Sequence, residues 1–286
     1  MFKREYYCLV AGLPDLILDQ GVKKFNFQAL KDEIYESASE EDRTFIRELL
    51  AEYDLINLLR LLRKREDLFI DRGFYSLNFL KERLEYLKEY PDEIYKEVPE
   101  FLVDVVRKYQ LGHEFDDRSD EYLDMASFTR FRFYQRVEKS KNKFVRSWFR
   151  FDHLLRNIQS AWMCRKLNES VHKQLVGYSE DIEFFEKNNL PDFGLRKEVP
   201  LGEQIFNLLE ESENMDIMER EFRFDQIRWQ IADELTIFNY FDIDKILAYL
   251  TKADILDRWL KLDKDRGNEL FDKFVKTMVA EKNINL

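Results

Sequence analysis

Three histidines and two cysteines are the residues best suited to chemistry in this chain, and their spacing argues against most of it. His113, His153 and His172 share no short interval, and neither Cys8 nor Cys164 has the sequence neighbours of a zinc site. Glu169-Ser-Val-His172 is one copy of the Glu-x-x-His pattern that helical di-iron proteins carry twice, with two further glutamates on facing helices. The second copy is absent. Nucleotide cradles need glycine-rich turns, and neither Gly-x-x-x-x-Gly-Lys-Ser/Thr nor Gly-x-Gly-x-x-Gly occurs. There is no Gly-x-Ser-x-Gly elbow for a nucleophilic serine. The acid pairs Glu40-Glu41, Asp116-Asp117 and Glu210-Glu211 are what a chain rich in acids places on solvated helix faces. The expectation is a protein that is not an enzyme, with no metal and no cofactor.

Charge distribution says more. The net charge is −11, yet the segment from Arg130 to Lys166 holds eleven bases and two acids, leaving 35 bases against 55 acids elsewhere. Aromatics interleave with the bases, as in Arg130-Phe-Arg-Phe-Tyr134 and Trp148-Phe-Arg-Phe151. One reading is nucleic-acid binding through segment 130–166, with bases neutralising phosphate and rings stacking on nucleobases. The acidic remainder opposes it, because it repels a polyanion at long range. A second reading buries the aromatics in the core and pairs the arginines with acids of flanking helices. A third makes the segment an arginine-rich docking surface for a protein partner.

The elements that must position these residues are helices. Ile46, Leu49, Leu50 and Tyr53 follow i, i+3, i+4, i+7 spacing, and Leu55, Leu58, Leu59 and Leu62 continue it. Ser39, with Asp42 three residues on, reads as the start of that helix. Ser76 is expected to cap the helix of Leu77, Leu80, Leu84 and Leu87, which ends before Pro91. Pro99 is expected in the first turn of the next, whose buried face is Leu102, Val105, Val106 and Tyr109 and which Gly112 stops. From Asp120 to Asn168 there is neither Gly nor Pro, and the spacing predicts two long helices broken near Ser140-Lys-Asn-Lys143. Gly177 to Gly202 reads as a loop-rich junction. Helices follow from Pro200 to Leu209, Met215 to Phe238 and Ile243 to Leu260, with a last one carrying Phe271, Phe274, Val275 and Met278. Only Tyr6–Val10 and Asp67–Ile70 read as short strands.

Composition supports the same class. Eight glycines and five prolines in 286 residues are too few for the tight reversals of a sandwich or barrel. At 45% apolar residues, with 25 Phe, 14 Tyr and 4 Trp, the chain is not disordered. Two isolated cysteines fit a reducing compartment, no apolar run is long enough to span a membrane, and the N-terminus does not read as a signal peptide. The expected product is an all-α cytoplasmic protein, a single domain over 1–286.

Internal similarity is visible within it. Glu52-Tyr-Asp54 leads into Asn57, Arg60 and Arg63-Lys64; Phe151-Asp152 leads into Asn157 and Arg165-Lys166; Ala248 to Arg258 closes a helix of similar size. The opening Tyr6-Tyr-Cys-Leu-Val-Ala-Gly-Leu-Pro-Asp-Leu16 resembles the start of an uncharacterised bacterial family associated with V-type ATPase subunits in Bacteroidetes-like bacteria. More distantly, the internal elements resemble the C-type subunit of the V/A-type ATPase, whose eukaryotic counterpart is the d-type subunit. Asp54-Leu-Ile-Asn57 with Arg60 and Arg63 matches that family's Asp-x-x-Asn-x-x-x-x-x-Arg helix. Phe151-Asp152 through Arg165 matches with two extra residues between Asn157 and Arg165, and Ile246–Leu250 with Ile255–Arg258 resembles its last helical unit.

The resemblance implies a funnel of three pseudo-repeated helical lobes, here 1–115, 116–200 and 201–286, with no catalytic residues. It implies a coupling subunit of a rotary ATPase, joining the central-stalk subunits to the membrane rotor ring at the inner face of the cytoplasmic membrane. Arg132, Arg136, Arg146 and Arg150 are then the residues expected to face the partner.

Overall fold

The computed structural model describes residues 5–16, 25–90, 99–111, 125–212 and 215–261. Expectations resting on Pro91, Gly112, His113, Asp116-Asp117, Asp120 and the closing helix of Phe271, Phe274, Val275 and Met278 lie outside those residues. The described chain is all-helical. Its helices are α1 (Tyr7–Gly12), α2 (Phe27–Ser37), α3 (Glu40–Leu62), α4 (Leu77–Glu89), α5 (Glu100–Leu111), α6 (Met125–Val137), α7 (Lys143–Leu167), α8 (Ser179–Lys187), α9 (Gly202–Glu211), α10 (Ile217–Glu234) and α11 (Ile243–Lys261). Single 3₁₀ turns occur at Glu66–Leu68 and Val171–Lys173, and no strand occurs among the described residues.

Helix starts follow the polar residues in the sequence. Ser76 accepts from the Phe79 amide at the head of α4, Asn142 from Val145 at α7, and Asp216 from Glu219 at α10. The Ser39 hydroxyl accepts from the Asp42 amide and donates to the Asp42 carboxylate. α7 ends at Asn168, a left-handed residue with φ 54°, and the following amide of Glu169 closes back on the Cys164 carbonyl.

Two compact units are present. The first comprises residues up to Arg43 together with those from Gly194 onward; the second runs from Thr44 to Phe193. In the second unit α4, α5, α6 and α7 pack in chain order, each on the next. Its centre is α7, which buries Phe144, Trp148, Phe149, Phe151, Leu155 and Ile158. Phe149 meets Phe133 of α6 edge to face at 4.8 Å. In the first unit α10 packs on α9 and α11, and α2 packs on α11. Phe222, Trp229, Ile255, Leu256 and Trp259 form its core, with the Phe222 and Trp259 rings edge to face at 5.1 Å.

Three expectations are corrected. Tyr6–Val10 is not a strand: Tyr7–Gly12 is a helix, and the Tyr6 amide donates to the Phe241 carbonyl. A five-residue apolar run has no periodicity to separate the two states. Asp67–Ile70 is not a strand either. Its main chain turns through the 3₁₀ segment, and Ile70 is satisfied by a side chain rather than by a neighbouring strand. Tyr109 is exposed, while Leu102, Val105 and Val106 are buried as the spacing predicts. The break between α6 and α7 falls where expected, but it is anchored by buried polar groups. The Ser140 hydroxyl donates to Glu48 on α3, and Asn142 caps α7.

Candidate functional site

The arginines of the basic segment divide into two kinds. Arg132 on α6 pairs with Asp104 of α5 at 3.0 Å, and Arg136 pairs with Glu48 of α3 at 3.1 Å. These hold α6 between its neighbours. Arg146 and Arg150 lie one turn apart on α7. Arg146 donates to the Ser140 carbonyl, and Arg150 is exposed with no hydrogen-bond or ion-pair partner among the described residues. The structure therefore places Arg146 and Arg150 together on α7, while Arg132 and Arg136 are ion-paired on α6. The interleaved rings of Phe131, Phe133, Tyr134, Phe144, Trp148, Phe149 and Phe151 are all buried. Their alternation with bases is the signature of helices whose one face is core and whose other face is charged.

Arg146 and Arg150 border a cleft of about 550 Å³ between α7 and α8. Its α7 wall continues through His153 and Asn157, and its α8 side is lined by Asp181 and Phe185. A cleft of that size is in the range of small-molecule or peptide sites. Acids and bases share its lining, so it carries no strong preference for one sign of charge.

Two side-chain clamps occur in the second unit. Buried Asn57 on α3 donates through Nδ2 to the Ile70 carbonyl and accepts through Oδ1 from the Ile70 amide, both at 2.8 Å. Buried Asn157 on α7 does the same with Val176, at 2.7 and 3.2 Å. In each case one carboxamide replaces a strand partner for a single residue in the link that leads to the next helix. Near the first clamp, Asp54 accepts from the amides of Phe74 and Tyr75 at 3.2 and 3.1 Å. Gly73 permits this approach, because a Cβ there would overlap the Asp54 carboxylate. At the second, His153 bonds the Val176 carbonyl through Nε2 and stacks on the Tyr134 ring at 4.1 Å.

Buried aspartates recur on three helices, each preceded by an aromatic residue: Asp54 on α3, Asp152 on α7 and Asp225 on α10. Asp152 accepts from the Tyr134 hydroxyl at 3.0 Å and from Arg156 Nε at 2.8 Å, and Arg156 reaches Glu52 of α3 at 3.0 Å. Asp152, and secondarily Glu52, hold the Arg156 guanidinium firmly charged. Burial, reinforced by Asp152, pushes the Tyr134 hydroxyl well above its ordinary range. Asp225 accepts from Arg228 at 3.1 Å and from the Trp259 indole at 2.8 Å, and it pairs with Arg258. The sequence carries a signal for the third copy, since Arg223-Phe-Asp225 repeats Arg150-Phe-Asp152. The third stretch of internal similarity, Ala248–Arg258, instead supplies one of that aspartate's partners.

Two further candidates for chemistry, His172 and Cys164, lie in the second unit. His172 pairs with Glu186 across an exposed turn at 3.0 Å. Burial raises the Cys164 thiol, which lowers its thiolate fraction at neutral pH. Among the described residues no group of three or more His, Cys, Asp or Glu is arranged to hold a metal ion, and no helix is long and apolar enough to cross a membrane. The opening motif is a strap within the first unit. The Tyr6 hydroxyl donates to Asp42, and the Pro14 carbonyl accepts from Tyr249 on α11 at 2.7 Å.

These features define an all-helical protein whose buried polar residues clamp helices and links together. The chain belongs to an uncharacterised family, described as Protein of unknown function (DUF2764), whose model matches residues 3–282. No curated protein and no solved structure matches it.

Proposed function

We propose that the protein is a non-catalytic coupling subunit of a bacterial V/A-type rotary ATPase, linking the central stalk to the membrane rotor ring. The observation that carries the reading is the recurrence of one clamp. Asn57 holds Ile70, and Asn157 holds Val176, each by both main-chain groups and each from the motif on which the resemblance to the C-type ATPase component rests. A chain assembled from repeated helical units, in lobes near 1–115, 116–200 and 201–286, would be built this way. The protein would sit at the inner face of the cytoplasmic membrane through its partners and transmit torque without chemistry of its own.

Exposed apolar surface supports a role in binding. The turn after α10 presents Ile237, Phe238 and Tyr240 to solvent, with Phe238 86% exposed. Consecutive large apolar residues left in water are a common mark of a protein contact. Nucleic-acid binding is the lesser alternative, because the rings of segment 130–166 that it needs for stacking are in the core.

The test is affinity capture of the full chain from its native cells, with partners identified by mass spectrometry. Recovery of stalk and ring subunits by the wild type, and their loss with Phe238→Asp, supports the reading. Recovery of nucleic acid, or of no ATPase component, overturns it.

A further inference from the structure

Arg60 near the end of α3, Arg63 in the turn that follows it and Arg130 of α6 border a small pocket in the second unit, about 190 Å³ in volume. Its floor is Leu55, Leu59 and Phe133, all buried. Arg60 is oriented by a hydrogen bond to the Leu68 carbonyl. Arg63 and Arg130 are exposed and have no hydrogen-bond or ion-pair partner among the described residues. Glu52, the one acid among the described lining residues, is engaged with Arg156.

Three arginines lining one pocket, two of them without a partner among the described residues, have capacity for an oxyanion, since each guanidinium carries a fork of N–H donors. Volume decides how large the ligand is. Sites for whole cofactors and drug-sized molecules run to roughly 300–1,000 Å³, so this one admits a single group. The floor decides its kind. A free phosphate is hydrated on every side and gains nothing from Leu55, Leu59 and Phe133. A carboxylate on a short hydrocarbon stem gains from both surfaces, stem against the apolar floor and charge against the rim.

We propose that Arg60, Arg63 and Arg130 form a receptor for an acidic side chain, a glutamate or aspartate presented by a partner protein. The pocket is distinct from the cleft of Arg146 and Arg150, and the inference does not require the rotary-ATPase reading. Binding is electrostatic at the rim and weakens with salt.

The experiment titrates the full-length protein with a fluorescently labelled octaglutamate peptide, with free glutamate and inorganic phosphate as competitors. Arg60 is left intact because it bonds the main chain. Arg63→Gln combined with Arg130→Gln is expected to weaken octaglutamate binding at least tenfold while leaving the melting temperature unchanged. Lys139→Gln combined with Lys141→Gln, two exposed bases just after α6, is expected to bind as the wild type does. The proposal is overturned if the wild type does not bind the peptide or if the first double variant binds it normally. Equal losses in both double variants, which would mark a general charge effect, also overturn it. So does phosphate competing as well as free glutamate, which would make the pocket a phosphate site.

Discussion

Asn157 grips Val176 by both main-chain groups, donating to its carbonyl at 2.7 Å and accepting from its amide at 3.2 Å. Asn57 grips Ile70 in the same way, 100 residues earlier in the chain. Both asparagines are buried, so neither bond competes with bulk water. Each substitution to alanine removes two hydrogen bonds and leaves a main-chain pair to find other partners. Asn57→Ala and Asn157→Ala should each cost about 2–4 kcal/mol in urea unfolding. Losses below about 0.5 kcal/mol would mean the links are held elsewhere.

Gly73 is fixed by a neighbour rather than by its own dihedral angles. The Asp54 carboxylate occupies the space a side chain would need, and from there it accepts the Phe74 and Tyr75 amides. Gly73→Ala must either push that carboxylate off both amides or move the link. A loss of about 1–3 kcal/mol is expected, measurable by thermal unfolding. Combining it with Asp54→Ala should recover part of the loss, since the collision is gone.

The helical class is legible in the sequence because 3.6-residue periodicity runs through nearly every segment, and Ser76 and the break at Ser140–Lys143 show that caps and breaks are legible too. What the spacing does not reveal is pairing at a distance. Nothing in Arg132 or Arg136 distinguishes them from Arg150 until Asp104 and Glu48 are brought beside them by folding. Likewise Asn57 reads as a motif residue, but its partner Ile70 lies in a stretch resembling a strand. An isolated residue satisfied by a side chain leaves no periodic trace. The pocket of Arg60, Arg63 and Arg130 combines residues about 70 positions apart, which no local pattern joins.

Asp225 gathers three partners into the core of the first unit: Arg228 and the Trp259 indole as hydrogen-bond donors, and Arg258 as an ion pair. Removing it withdraws the counter-charge from Arg228, which lies largely out of solvent. Asp225→Ala should therefore destabilise by about 3–5 kcal/mol. Asp225→Asn, which can still accept from the indole, should lose less. If the two variants unfold at the same denaturant concentration, the charge is not what matters there.

Tyr134 gives the protein a defined alkaline limb. Its hydroxyl is raised well above the ordinary value of 10 by burial and by Asp152. The native state thus keeps a proton that the unfolded state releases. The stabilising contribution is complete below pH 10 and declines as pH rises toward the higher native value. Over that interval the loss is about 1.4 kcal/mol per pH unit. Tyr134→Phe should be less stable at neutral pH by about 1 kcal/mol, having lost the bond to Asp152. Its stability should fall less steeply above pH 10. Parallel alkaline limbs in urea unfolding would show that Tyr134 is free to ionise in the folded protein.

The four arginines expected from the sequence to face a partner should separate in experiment as they do in space. Arg132 and Arg136 hold α6 to α5 and α3, so replacing both with glutamate puts like charges beside Asp104 and Glu48. Each lost pair is worth up to about 1 kcal/mol, and the repulsion adds to it. A lower melting temperature is expected for Arg132→Glu with Arg136→Glu. Arg150→Glu changes an exposed side chain with no partner among the described residues, and its melting temperature should stay at the wild-type value. Any loss of captured partner in Arg150→Glu then reports on binding alone, whereas loss in the other pair is confounded with stability. If Arg150→Glu melts early, the α7–α8 cleft is part of what holds the second unit together, and its arginines are not available to a partner.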